Sequence, residues 1–183
     1  MITKLEVKET NKYGRGVFAL EDIKKGQIVY VINGERIPLS EVVKRINSGK
    51  ENLDDIFQIG KRTYIDLNDF SRLFNHSCDP NTGIRKISEI VALRDIKKGE
   101  EITYDYSSTI SPTVWEMECK CGTEKCRKVL GDVLSIPKEQ LDTYKKGGFL
   151  QDYMISLLKE VGSGNYKLPK YEILALEKLR KGE

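Results

Sequence analysis

Four cysteines are present, Cys78, Cys119, Cys121 and Cys126, and three of them fall within the short stretch Cys119-Lys-Cys121-Gly-Thr-Glu-Lys-Cys126. The form Cys-x-Cys-x4-Cys offers three thiolates on one tight loop, and Gly122 permits the turn between ligands. A closed tetrahedral site needs a fourth ligand. Cys78 is the remaining cysteine and would tie two distant segments together through a zinc ion; His76 could stand in its place, but four sulfurs suffice. Lysines interleave the cysteines, which argues against a cluster of small buried thiols. His76 is the only histidine. This excludes a three-histidine metal centre and leaves any serine or cysteine triad dependent on one fixed partner. A second constellation, Arg72-Leu-Phe-Asn75-His76-Ser77-Cys78-Asp79-Pro80-Asn81, runs into the first. Further groups lie downstream in Gly99-Glu-Glu-Ile-Thr-Tyr104-Asp105-Tyr106 and upstream in Asn11-Lys-Tyr-Gly14-Arg15-Gly16-Val17.

The elements that must position these residues differ along the chain. Up to about residue 108 short apolar runs alternate with glycine turns, as in Gly26-Gln-Ile-Val-Tyr-Val-Ile32 and Glu89-Ile-Val-Ala-Leu93, so this part reads as strands. One short helix is expected near residue 40, capped by Ser40, carrying Val42, Val43 and Ile46 on one side and ending at Gly49. The stretch Ala19-Leu-Glu-Asp-Ile-Lys-Lys-Gly26 recurs as Ala92-Leu-Arg-Asp-Ile-Lys-Lys-Gly99, which implies two similar corners. It is too short to argue a solenoid. After Gly131 the period changes: Phe149, Leu150, Tyr153, Met154, Leu157 and Leu158 fall at helical spacing, as do Ile173, Leu174, Leu176 and Leu179, with a loop at Gly162-Ser-Gly-Asn165.

With 183 residues, 39% hydrophobic and 32% charged, the chain suits one globular domain with a short appendage. Lysine and arginine number 31 against 28 acidic residues, a balance too even to argue for nucleic acid or a membrane surface on charge alone. No apolar run has the length of a membrane span, and the polar start lacks the apolar stretch of a secretory signal. The expected setting is cytoplasmic, or nuclear for a eukaryotic protein or one acting on a host cell.

The three segments and the cysteine loop together resemble the SET-domain protein-lysine methyltransferases with their post-SET zinc loop, over roughly residues 5 to 131. The resemblance implies a mainly β, β-clip-like fold of small sheets with a pseudoknot at the Asn-His-Ser segment, followed by a C-terminal α-helical extension. It implies a division into a catalytic domain over 1–108, a zinc loop over 109–131 and the extension over 132–183. It also implies S-adenosylmethionine on one face and a target lysine entering a narrow channel from the other. Gly14, Arg15 and Gly16 would lie along the methionine part of that cofactor. Asn75 and His76 would hold its amino group and adenine, and Arg72 and Tyr106 would complete its site. Tyr106 would be the catalytic tyrosine, with Tyr64 and Tyr104 as channel walls; Cys78, Cys119, Cys121 and Cys126 would hold Zn(2+).

Methyl transfer from a sulfonium to an amine is an in-line displacement, so positioning is a large part of the catalysis and the scarcity of histidine is unsurprising. The expected product is mainly monomethyl-lysine on a protein substrate, such as a chromatin or DNA-binding protein, with no membrane and no direct nucleic-acid contact. The multi-cysteine module that precedes the domain in many histone methyltransferases has no counterpart before Cys78, so histone specificity does not carry over. The contrary reading is a non-catalytic zinc-stapled module whose Lys120, Lys125, Arg127 and Lys128 bind nucleic acid or an acidic partner.

Overall fold

A computed structural model describes residues 3–10, 14–112 and 115–167. The chain opens with the antiparallel pair β1 (Leu5–Thr10) and β2 (Gly14–Ala19), in which Gly14 takes a positive φ of 73°. Then follow β3 (Ile28–Val31), β4 (Gly34–Pro38), α1 (Leu39–Asn47), β5 (Ile56–Gly60) and β6 (Thr63–Leu67). Next come β7 (Asn75–His76), β8 (Thr82–Arg85), β9 (Glu89–Ala92) and β10 (Thr103–Tyr104). Beyond these lie β11 (Met117–Glu118), β12 (Val129–Leu130), α2 (Lys138–Gly147) and α3 (Asp152–Gly162). Small sheets result, in the orders β3-β9-β8 and β4-β6-β5, together with two-stranded pairs. The fold is therefore mostly β, with α1 among the early strands and α2 and α3 at the C-terminal end, as the sequence implies.

The repeated octapeptide has a structural counterpart. Its two copies face each other: Ile23 and Ile96 exchange both backbone hydrogen bonds, at 2.8 and 2.9 Å. Lys24 pairs with Asp95 at 2.9 Å, and Lys97 pairs with Asp22 at 2.8 Å. The same carboxylates accept from the backbone N–H of Lys25 and Lys98. The N–H of Gly26 donates to Ala92 and that of Gly99 to Ala19. Each corner thus satisfies its twin about a local two-fold axis. Both isoleucines are fully buried, each worth about 1.5–3 kcal/mol of burial free energy, whereas the exposed ion pairs around them contribute about 1 kcal/mol or less each.

Helix α1 differs from its expected start. Pro38 occupies the N-cap position and Ser40 lies inside the helix without a capping bond. A serine cap is not needed, because the Leu39 N–H donates to the Arg62 carbonyl at 3.1 Å. The buried face consists of Leu39, Val42 and Arg45, while Val43 and Ile46 are half-buried. Arg45 displaces an apolar side chain there because carboxylates meet it on three sides: Asp66, Glu41 and Glu35. The expected stop holds, with the helix ending at Asn47 and Gly49 adopting a φ of 68°.

The main core gathers Val17, Ile23, Val29, Phe57, Ile65, Phe74, Ile84, Ile90 and Ile102 between the small sheets. A second apolar cluster holds the C-terminal helices to Leu93 through Tyr144, Leu150, Met154 and Leu157. Gln151, fully buried, pins this region by donating to the carbonyls of Gln58 and Ile87. The turn after α3 falls at Gly162–Asn165 as expected. Ile173, Leu174, Leu176 and Leu179 lie outside the described residues.

Candidate active site and metal centre

Two segments far apart in sequence are brought side by side. Asn75–His76 pairs in parallel with Thr103–Tyr104, an arrangement that a local hairpin cannot make. Asn81 secures it by accepting from the Thr103 N–H at 3.0 Å and donating to the Glu101 carbonyl at 2.7 Å. This places Tyr104 and Tyr106 next to the Asn-His strand, with ring centroids 4.9 Å apart and His76 edge-on to Tyr106 at 5.3 Å. The Tyr106 hydroxyl donates to the Phe74 carbonyl at 2.9 Å.

Tyr64, Tyr104 and Tyr106 line one cavity of about 120 Å³. Phe57 and Gln58 from β5, the strip Thr109–Pro112, Trp115 and Tyr166 also wall it, so segments from before and after the cysteine loop contribute. Burial raises the Tyr104 phenol well above its ordinary value, so it stays protonated. Among the described residues, its hydroxyl has no hydrogen-bond partner. Gln58 braces the wall by accepting from both the N–H and the hydroxyl of Ser111 at 3.0 Å.

A second recess is lined by Arg15, Asp69, Phe70, Arg72 and Leu73. Arg72 borders both cavities. Three bonds fix it there: to the Leu67 carbonyl at 2.6 Å, Asp66 at 3.0 Å and Glu51 at 3.1 Å. The other oxygen of Asp66 is taken by Arg45, so one buried carboxylate links α1 to this dividing wall.

Asn75 lies beside the Gly14–Gly16 segment. Its amide nitrogen donates to the Arg15 carbonyl at 3.0 Å and to Glu101 at 2.7 Å, which leaves its oxygen as an acceptor. Gly16 is required by close approach, since a Cβ there would stand 2.4 Å from the Glu101 carboxylate and 2.8 Å from the Asn75 amide. We therefore expect Gly16→Ala to cost about 1–3 kcal/mol of stability through overpacking, measurable by denaturant titration. A change below a few tenths of a kcal/mol would show that Asn75 and Glu101 yield freely.

Three of the four cysteines meet, and His76 joins them where Cys126 was expected. Ligand atoms of His76, Cys78, Cys119 and Cys121 all lie within 4.8 Å of one another. The Cys119 thiol is in hydrogen-bonding range of Cys78, Cys121 and Cys126, and the Cys126 thiol lies 3.6 Å from the Cys119 carbonyl. This donor set suits zinc, whose structural sites are built from such thiolates and imidazoles. Burial pushes the Cys78 and Cys119 thiols up, an effect that a bound cation reverses by displacing their protons. His76 is held from both sides: Nδ1 accepts from the Tyr106 N–H at 3.2 Å, and Nε2 faces Cys78 Sγ at 3.3 Å. The first bond assigns the ring proton to Nε2, where it can be given to the sulfur. Burial, then the neighbouring Arg127, bring the imidazole down to about 3, so it is neutral at physiological pH.

Three of the positive residues around this loop, Lys120, Lys125 and Arg127, have acidic neighbours. Lys120 lies 3.5 Å from Glu118, and Lys125 pairs with Asp79 at 2.9 Å. Arg127 pairs with Asp105 at 2.5 Å, with its side chain only 10% exposed. The roles of Arg127, Asn81, Gln58 and Trp115 have no signal in the sequence beyond membership of the loop or motif, because each depends on a partner at least 20 residues away or on the cavity as a whole.

Comparison with known proteins agrees with this geometry. The SET domain profile matches residues 14–107. The variant-silencing SET domain-containing protein of Plasmodium falciparum is 38% identical over 143 residues, spanning 68% of this chain and 6% of that protein. Histone-lysine N-methyltransferase ASHH3 of Arabidopsis thaliana is 34% identical over 150 residues, 75% of this chain and 41% of the plant protein. The chain thus spans less than half the length of either relative. The crystal structure of the methyltransferase domain of human histone-lysine N-methyltransferase SETMAR superposes with a TM-score of 0.59 at 28% identity, covering 72% of this chain and 59% of that one.

Proposed function

Because the chain belongs to the SET-domain family, we propose that it is an S-adenosylmethionine-dependent protein-lysine N-methyltransferase. The observation that carries this reading is the tyrosine-lined cavity set beside the recess of Arg15, Asp69, Phe70 and Leu73, with Arg72 bordering both. The residues around Arg15 suit the cofactor: the Asn75 amide, which donates to the Arg15 carbonyl, leaves its oxygen as an acceptor suited to an ammonium group, and Gly16 admits no Cβ. S-adenosylmethionine, when bound, supplies a methyl group on an electrophilic sulfonium.

The chain's own residues then do the following work. Aromatic walls at Tyr64, Tyr104, Tyr106 and Phe57 desolvate an entering lysine, which favours its neutral, nucleophilic form over the ammonium of ordinary pKa near 10.4. Their faces also attract it while it is still cationic. Tyr106, whose hydroxyl donates to the Phe74 carbonyl, would offer its oxygen as an acceptor to the amine and in weak C–H···O contacts to the moving methyl. Neutral His76 fixes the Tyr106 backbone. Zinc would be held by Cys78, Cys119, Cys121 and Cys126 and would cross-link the loop to the Asn-His-Ser segment; His76 is left out of this set because both of its nitrogens are engaged. On this reading residues 1–108 carry the methyl-transfer site, 109–131 the zinc loop and 132–183 a helical extension that supplies Tyr166 to the cavity wall.

The test is incubation with isotopically labelled S-adenosylmethionine, core histones and a total protein extract, followed by mass spectrometry. Label on lysine ε-amines is expected. No transfer to any protein by zinc-loaded enzyme would overturn the assignment.

We expect mainly monomethyl-lysine. The Tyr104 hydroxyl, unpartnered among the described residues, can hold a water in the space that further methyl groups would need. Releasing such a water changes the free energy by about 0–2 kcal/mol, enough at the upper end for a more than tenfold change in product ratio. Tyr104→Phe should therefore shift products toward di- and trimethyl-lysine. Trimethyl-lysine as the main wild-type product, or an unchanged distribution in the variant, would remove this argument.

A further inference from the structure

Arg127 touches both halves of the site. Its backbone N–H donates to the sulfur of Cys78 at 3.3 Å. Its guanidinium donates to Asp105 at 2.5 Å and to the hydroxyl of Ser107 at 3.3 Å. Asp105 separates Tyr104 from Tyr106 and accepts from the Ser107 N–H, capping the short 3-10 turn Tyr106–Thr109. Ser107 in turn donates to the Gly131 carbonyl at 2.7 Å, behind the cysteine loop.

As a device for stability this ion pair is poorly made. Arg127 Nε and Nη1 and Asp105 Oδ2 are all buried without a hydrogen-bond partner among the described residues. A buried charge pair repays its desolvation only when its remaining polar atoms are satisfied, and apolar residues of similar volume often do as well or better. What the pair does provide is a fixed separation between a cysteine sulfur and the backbone that carries both tyrosines.

We propose that Arg127 is a positioning residue for methyl transfer: through Asp105 it makes the placement of Tyr104 and Tyr106 depend on the metal-held cysteine loop. The proposal rests on the methyltransferase reading for its activity arm only. Loop order reaches the cavity by three short steps, from Cys78 to the Arg127 backbone, along its side chain to Asp105, and from Asp105 to the tyrosine on either side.

The test compares wild type, Arg127→Lys, Arg127→Met and the double variant Arg127→Met with Asp105→Asn. The double variant removes the buried carboxylate that the single one would leave unpaired, so it serves if the single variant does not fold. Arg127→Met should keep one zinc per chain by elemental analysis while kcat falls at least tenfold and the KM for substrate peptide moves less than threefold. Arg127→Lys, which retains the charge, should recover part of kcat. Independently of activity, tyrosine-labelled NMR spectra should show Tyr104 and Tyr106 resonances moving when EDTA removes zinc from wild type, and moving far less in Arg127→Met or the double variant. Tyrosine resonances that respond to zinc removal equally in all forms, or a kcat within twofold of wild type, would overturn the proposal. A wild type that transfers no methyl group would refute the function instead, and the NMR comparison would still decide the coupling.

Discussion

Tyr106→Phe is expected to bind S-adenosylmethionine within about twofold of wild type and to turn over about 100-fold more slowly, the loss of roughly 2.7 kcal/mol of transition-state stabilisation. The asymmetry follows from where the hydroxyl sits. Tyr106 lines the cavity and not the Arg15–Asp69 recess, so on the proposed reaction the loss of its hydroxyl acts on the reacting amine and methyl and little on the bound ground state. A second, smaller effect comes from the Phe74 carbonyl, which loses its donor at 2.9 Å. That should lower stability by about 1 kcal/mol. Isothermal calorimetry and single-turnover kinetics separate the two. Turnover within a few-fold of wild type would remove Tyr106 from the reaction.

Removal of the zinc proposed for the cysteine loop should have the next largest effect. With the metal gone, the Cys119 N–H bond to the Lys128 carbonyl and the β11–β12 pairing would have only the small apolar cluster of Leu130, Trp115 and Met117 to hold them. We expect rapid amide exchange from about Glu118 to Lys128 after chelation, together with weaker cofactor binding and loss of activity. Apparent binding free energies of about 10–16 kcal/mol for structural zinc in small domains indicate how much order one ion can impose. Full activity in metal-free protein would break the link between loop and site.

What could be read in the sequence was local or carried by a dense motif. The Cys119–Cys126 spacing is a property of one loop, and the Lys-Gly corners were announced by the repeated octapeptide, although the partner that satisfies each is its distant twin. Tyr64, Tyr104 and Tyr106 came together where the motif order placed them. The start of α1 was misread because the group that satisfies its first N–H is the Arg62 carbonyl, 23 positions away from Leu39, and no local pattern announces such a partner. Arg127 was misjudged for a related reason. Among lysines it reads as one more solvated charge, and only the fold shows that it points inward to Asp105. Gln151 likewise looks like any polar residue before a helix, yet it is fully buried between two carbonyls.

The paired corners bear on how the chain is made. Lys24 and Asp95 are 71 residues apart, so on the ribosome the first corner emerges well before its twin exists. At ~5–20 residues per second, that wait is roughly 4 to 14 s. Over this interval Ile23 has no mate within its own chain, and the only matching segment nearby is the same corner on a neighbouring nascent chain. Crowded polysomes are therefore the setting in which this protein is most exposed to pairing with itself, and Asp22 and Lys24 serve newborn chains as much as finished ones, keeping the waiting edge charged and hydrated until Asp95 and Lys97 arrive to pair with them.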